Sequence, residues 1–148
     1  MLSSHHANKI MSIQWSKEYE TGHEIVDREH KDIFALVQMV FDISPTSRKE
    51  KIDEAISFLA EYTVRHFQHE EGLMTLSNYP DTKSHIQQHN DFIKSVTALQ
   101  ERVRDEGNTM RVHLDVNQTV VDWLVTHVLD SDKIFADHYK AWKKKTVT

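Results

Sequence analysis

The 148-residue sequence predicts an all-α protein, an up-down-up-down four-helix bundle with an N-terminal arm and a short C-terminal helix. Three observations support this fold class. Only three Gly and two Pro are present, so few residues interrupt helices. Apolar residues recur at helical spacing in four long segments. Short turns join these segments, and short turns make consecutive helices antiparallel neighbours.

Capping and turn residues place the helix boundaries. Residues 1–24 show no sustained apolar period and are expected to form the arm, whereas residues 25–148 form the bundle domain. Ser47 and Glu50 match a capping box before the second helix, and Gly107 and Thr109 separate the third helix from the fourth. The predicted helices cover about residues 25–42, 47–76, 80–106 and 110–129, followed by a short amphipathic helix with Phe135, Tyr139 and Trp142.

Composition narrows the class of function. The net charge of -5 and the pI near 6.1 argue against nucleic-acid binding, which needs a concentrated basic surface. The sequence has no cysteine, so a metal site must use nitrogen and oxygen ligands. No apolar run is long enough to cross a membrane, and the first residues lack the apolar segment of a secretory signal. We therefore expect no membrane partner and a cytoplasmic location.

Several of the eleven histidines fall at one level of the predicted bundle. Residues equally far from an antiparallel turn lie at the same height along the helix axes. His66 and Glu70 precede the turn near residue 78 by 12 and 8 residues, and His85 and His89 follow it by 7 and 11. His89 and His127 each lie 19 residues from the turn near residue 108. His30, near the start of the first helix, lies at the same end.

Spacing within the helices supports a common site. His66 and Glu70 are four residues apart, as are His85 and His89, so each pair shares one helix face. His127 and Asp132 are five residues apart, which on a continuous α-helix is a rotation of roughly 140°. The sequence therefore predicts that the fourth helix ends between them, near Asp130 and Ser131.

The chemistry of these residues indicates a metal centre. An isolated HxxxE or HxxxH pair is often a surface coincidence, and a lone buried histidine is usually a hydrogen-bonded core residue. Burying so many polar groups in one layer without a cation is much less favourable. Imidazoles and carboxylates suit iron, or less selectively zinc, manganese or copper, and so many ligands suit two ions. The candidate ligands are His30, His66, Glu70, His85, His89, His127 and Asp132.

Four motifs resemble those of the hemerythrin family, in particular its single-domain bacterial members. They are DREHK, HFQHEE, HIQQH and HVLDSD, and the resemblance runs from Trp15 to about Trp142. It implies a left-handed four-helix bundle with two non-heme iron ions, bridged by Glu70, Asp132 and an oxo or hydroxo group. It further implies that one iron is bound by three histidines, and that the other has two and an open position for dioxygen. The first set is His85, His89 and His127, and the second is His30 and His66.

The resemblance also suggests roles around the site. Trp123 and Leu124 are expected to form the apolar wall of an oxygen pocket, although plain core packing is equally consistent with Trp123. Asp27 and Tyr62 lie one turn from His30 and His66 and are candidates for orienting these ligands. Outside the ligand set, His69 and Glu71 are expected to lie around the site or on the surface. His23 stands where the family usually has an aliphatic residue. His113 and His138 are expected to be exposed, and His5 and His6 to contribute nothing.

The resemblance favours reversible dioxygen binding for oxygen carriage, storage or delivery over catalysis. Carboxylate-rich di-iron oxygenases carry an ExxH pattern on two helices, whereas this chain is histidine-rich. The sequence leaves two alternatives open. The protein could be a sensor of oxygen or redox state that acts through an unidentified protein partner, or a di-iron enzyme that handles peroxide or nitric oxide. Metal storage is least favoured, because a closed site for two ions has no capacity.

Overall fold

A computed structural model describes residues 13–147, of which helices form the greater part. The helices are α1 (Glu24–Asp42), α2 (Lys49–Leu76), α3 (Thr82–Glu106), α4 (Met110–His127) and α5 (Lys133–Val147), and a 3-10 turn at Lys17–Tyr19 precedes them. Within residues 13–147 there is no β-strand. Along the chain α1 packs on α2, α2 on α3 and α3 on α4, and α1 also contacts α4. The predicted four-helix class is therefore confirmed.

Two helix boundaries follow the sequence prediction and one does not. Gly107, at a φ of 87°, ends α3, and the Thr109 side chain accepts a hydrogen bond from the Val112 N–H at 3.1 Å to cap α4. The predicted capping box is wrong, because α2 begins at Lys49 without a side-chain cap. The Ser47 N–H instead donates to the Ser44 carbonyl at 2.9 Å, which closes a turn before the helix.

The apolar core divides into two clusters on either side of the histidine layer. The larger one fills the bundle from the arm to the far ends of the helices and includes Ile33, Phe34, Ile52, Ile56, Leu59, Val96, Val116 and Val120. The smaller one lies under α5 and consists of Met74, Tyr79, Phe135 and Tyr139. The part of the arm from residue 13 onward closes one side, because the rings of Trp15 and Tyr19 lie 5.4 and 4.8 Å from that of Phe34. None of the helices in this described part of the chain could span a membrane.

The predicted break between His127 and Asp132 is wrong. Val128–Asp132 forms a π-helical segment that joins α4 to α5 without interruption. A π-helix closes its hydrogen bonds from residue i to i+5, so two residues five apart share a face. His127 Nε2 accordingly lies 3.0 Å from Asp132 Oδ1. The wider turn, and not a helix end, brings both side chains into one site.

Two histidines predicted to be exposed instead contact backbone carbonyls at the C-terminal ends of helices. His113 is 3% exposed, and its Nε2 lies 3.0 Å from the Phe41 carbonyl in the last turn of α1. His138 is half-buried, with Nε2 at 2.9 Å from the Ser77 carbonyl, just after α2. The last carbonyls of a helix have no partner within it, so a nearby N–H donor is favourable there. The prediction that His113 is exposed is therefore wrong, and that for His138 holds only partly.

We predict that His113→Ala lowers the free energy of unfolding by about 1–3 kcal/mol, because it leaves a carbonyl without its donor and opens a cavity. Gln118→Ala, at an exposed position of the same helix, serves as the control and is expected to change stability by less than about 0.5 kcal/mol. Urea unfolding followed by circular dichroism measures both. Equal midpoints for the two variants would contradict this role.

Candidate metal centre

The seven candidate ligands predicted from the sequence meet inside the bundle. Each of them is between 0% and 4% exposed. One comes from α1 (His30), two from α2 (His66 and Glu70), two from α3 (His85 and His89), one from the end of α4 (His127), and one from the π-helical segment (Asp132). The fold therefore places together residues that span most of the sequence.

Their ligand atoms form two overlapping groups. One group contains Glu70, His85, His89, His127 and Asp132, and the other contains His30, His66, Glu70 and Asp132. Within each group the atoms lie within 4.8 Å of one another. Both groups include the two carboxylates, so the geometry describes two adjacent sites that share Glu70 and Asp132.

The two oxygens of Asp132 face different groups. Oδ2 lies 2.9 Å from His30 Nε2, whereas Oδ1 lies 3.1 Å from His85 Nε2 and 3.0 Å from His127 Nε2. Such an arrangement is suited to a carboxylate that bridges two cations. Glu70 Oε1 lies between helices in a similar way, 3.5 Å from His66 Nε2 and 3.3 Å from His89 Nε2.

Several buried polar atoms at the site lack hydrogen bonds, as expected of atoms that bind cations. Within the described residues, no hydrogen bond of suitable geometry reaches either oxygen of Glu70 or of Asp132, although three imidazole nitrogens lie 2.9–3.1 Å from Asp132. Nε2 of His30, His66 and His85 likewise lacks one. Buried polar groups without partners are rare, because each one loses the hydrogen bonds it makes to water. The donor set consists of imidazole nitrogens and carboxylate oxygens, which suits iron and, less selectively, zinc, manganese or copper. The residues present therefore fit a di-iron centre.

Side chains outside the ligand groups orient two of the imidazoles. His66 Nδ1 lies 3.1 Å from Glu29 Oε1, and His127 Nδ1 lies 3.0 Å from Gln88 Oε1. An Nδ1–H that donates to an oxygen fixes the tautomer whose Nε2 lone pair is free to bind a metal. Glu29 and Gln88 thus hold His66 and His127 with Nε2 directed into the site.

Neither Glu29 nor Gln88 is predicted from the sequence. Each stands directly before a ligand in its motif, in DREHK and HIQQH, and this adjacency was the only available signal. The residues proposed for this role bond elsewhere. Asp27 accepts hydrogen bonds from Thr21 and Gly22 in the arm, and the Tyr62 hydroxyl donates to Asp32 at 2.6 Å.

The neighbours His69, Glu71 and His23 lie outside both ligand groups. His69 Nδ1 is 2.7 Å from Glu29 Oε2, on the outer side of that carboxylate. Glu71 approaches His89 Nδ1 only to 3.9 Å. His23 caps α1, because its Nδ1 accepts from the Val26 N–H at 3.3 Å.

Aromatic rings cover the core side of the centre. Trp123 is half-buried and stacks on His127, with ring centroids 4.3 Å apart and planes at 14°. Phe67 stacks on His89 at 3.7 Å, with planes at 5°. Leu124 is buried in the same core cluster. These contacts restrict two ligands, and a wall for an oxygen pocket at Trp123 and Leu124 stays a prediction.

Burial and mutual charge set the ionisation of the metal-free site. Burial raises the pKa of Glu70 well above its ordinary value, and the charge of Asp132 raises it further. Burial also opposes ionisation of Asp132, but His127, His30 and His85 hold its pKa well below the ordinary range. Burial lowers the pKa of His66, and with His127 it lowers that of His89 to about 2. His66 and His89 are therefore neutral, as metal ligands must be.

The fold and the site define a class of protein: a four-helix bundle with a buried, histidine-rich site that fits two metal ions. The family model for the Hemerythrin HHE cation binding domain matches residues 21–139. The chain belongs to the hemerythrin family.

The chain aligns with individual relatives over most of their length. The chain is 30% identical over 118 residues to a bacteriohemerythrin of Methylococcus capsulatus, covering 80% of this chain and 88% of that one. It is 27% identical over 119 residues to a myohemerythrin of Theromyzon tessulatum, covering 80% and 87%. A crystal structure of wild-type hemerythrin superposes with a TM-score of 0.78 at 27% identity, covering 86% of this chain and 97% of that one. The recognition made from the motifs is thereby confirmed.

We predict that Glu70→Gln stabilises the metal-free protein at neutral pH while it weakens metal binding. The folded-state pKa of Glu70 lies above the ordinary 4.5. The protonated carboxyl therefore contributes fully to the stability of the folded protein below pH 4.5, and this contribution is lost as the pH rises through the folded-state pKa. Glutamine has no such proton to lose. Urea unfolding of metal-free protein at about pH 5 and about pH 8 measures the difference.

The control is Glu61→Gln, at an exposed position of the same helix. It is expected to leave both the stability and its dependence on pH near the wild-type values. A Glu70→Gln variant less stable than wild type at both pH values would show that ionisation of the buried carboxyl does not destabilise the metal-free protein.

Proposed function

We propose that this protein binds dioxygen reversibly at a non-heme di-iron centre and so carries, stores or delivers it. The observation that carries the proposal is the pair of ligand groups that share both carboxylates. Family membership supports iron as the metal and dioxygen as the ligand. The two irons, when bound, supply the electrons that reduce dioxygen and recover them when it leaves.

The two groups differ in their number of histidines. Three imidazoles and the two shared carboxylates make five protein donors in one group, against two imidazoles and the same carboxylates in the other. The group of His30 and His66 is therefore the one with room for an external ligand. This asymmetry supports binding of a small molecule to one ion while the other ion is held by protein.

The burial of the ligands supports reversibility. With every ligand at most 4% exposed, water reaches the site poorly. Phe67, Phe92 and Trp123 form a connected set of rings beside His89 and His127. We propose that this apolar side, with Leu124, keeps water and protons away and so slows irreversible oxidation of the iron.

The test is metal analysis combined with absorption spectra of protein reconstituted with ferrous iron. We expect about two irons per chain, because the seven ligands and shared carboxylates suit two ions. Aeration should produce an absorption band in the visible region that disappears on deoxygenation and returns on a second aeration.

Asp132→Ala is expected to reduce iron content sharply, whereas Asp130→Ala, an exposed carboxylate in the same π-helical segment, should retain it. Equal iron contents in the two variants would contradict the proposed site. A spectrum that changes once and does not reverse, with rapid turnover of peroxide or nitric oxide, would place the protein among di-iron enzymes instead.

A further inference from the structure

Two histidines of the centre are held by oxygens of different charge. His66, in the group with two histidines, has Nδ1 3.1 Å from a carboxylate oxygen of Glu29. His127, in the group with three, has Nδ1 3.0 Å from the amide oxygen of Gln88. The two bonds are similar in length, so the main difference between them is the charge of the acceptor.

Hydrogen bonds at both oxygens favour the ionised form of Glu29. Oε1 faces His66 Nδ1, and Oε2 lies 2.7 Å from His69 Nδ1. A carboxylate that accepts N–H bonds at both oxygens carries no proton of its own. The Glu29 side chain is 10% exposed and that of His69 is 54% exposed, so His69 covers the outer side of the carboxylate and links it to solvent.

Gln88 gives His127 a neutral acceptor, and the carboxylate of Glu71 on the same side stays 3.9 Å from His89 Nδ1, beyond hydrogen-bond distance. Gln88 Oε1 accepts from the Ser131 hydroxyl at 2.7 Å in addition to facing His127. Both contacts use the amide oxygen, and the group has no charge at any pH. An anionic acceptor draws the Nδ1 proton toward itself and makes the imidazole a stronger electron donor, which a neutral amide does to a smaller degree.

We propose that Glu29, held by His69, is a positioning residue that makes the ion bound by His66 more electron-rich than a neutral acceptor at His66 Nδ1 would. The added negative charge favours the ferric over the ferrous state of the ion that His66 binds. At His127, the amide of Gln88 adds no such charge. The inference rests on the proposed di-iron function and adds a second difference between its two ions, the carboxylate at His66 and the amide at His127.

The test exchanges the two acceptors. Glu29→Gln removes the charge but keeps an oxygen for His66 Nδ1, and Gln88→Glu adds a charge at the matching position of the other group. Redox titration of iron-loaded protein with mediators gives the midpoint potential of the iron couple. We expect Glu29→Gln to shift the potential upward and Gln88→Glu to shift it downward, both measured in protein loaded to two irons per chain.

Glu29→Ala removes the acceptor as well as the charge and is expected to weaken iron binding by roughly 10–100-fold. Nitrogen-15 NMR of the metal-free protein supplies a readout that needs no iron. The His66 Nδ1–H should be protonated and protected from exchange in wild type and in Glu29→Gln, and lose that protection in Glu29→Ala.

A purely structural role for Glu29 would leave the potential of the Glu29→Gln protein unchanged, because the hydrogen bond remains. That result in protein with full iron content would overturn the inference while leaving the proposed function intact. Wild-type protein that fails to bind two irons would overturn the proposed function and this inference together.

Discussion

The structure depends on the burial of two carboxylates and five imidazoles in one layer of a small bundle. Placing such groups away from water is unfavourable unless a cation or a hydrogen bond satisfies each of them. The metal-free site responds with a pKa of Glu70 raised by burial, while Asp132 remains ionised among histidines. Metal binding would remove this conflict, so the arrangement that weakens the metal-free protein would also favour the binding of two ions.

The rest of the fold supports that layer from both sides. The larger apolar cluster fixes the four helices, and the smaller one beneath α5 fixes the π-helical segment that carries Asp132. A π-helical turn has poorer geometry than an α-helical one and is frequently found at functional sites. Here it aligns His127 with Asp132, and Phe135 and Tyr139 pack to hold it in place.

Much of the fold and the candidate ligand set could be predicted from the sequence. Long apolar periods and short turns fix which helices are antiparallel, and equal distances from a turn then place His66 and Glu70 level with His85 and His89. The failures have physical reasons. The α-helical period excludes His127 and Asp132 from one site, because it does not anticipate the wider turn. Glu29, Gln88 and His113 act across helices, through rotations and side-chain contacts that no one-dimensional spacing specifies.

The ligands are spread across the sequence from His30 to Asp132, and this spread has a consequence for biosynthesis. The ribosome delivers Asp132 only after the other six ligands have been made. A hairpin of α2 and α3 can bring His66, Glu70, His85 and His89 together early, but neither ligand group is complete until the π-helical segment has emerged. Metal insertion into a complete site would therefore be a late event, and the nascent bundle would acquire its shape from the apolar residues that lie farther from the centre.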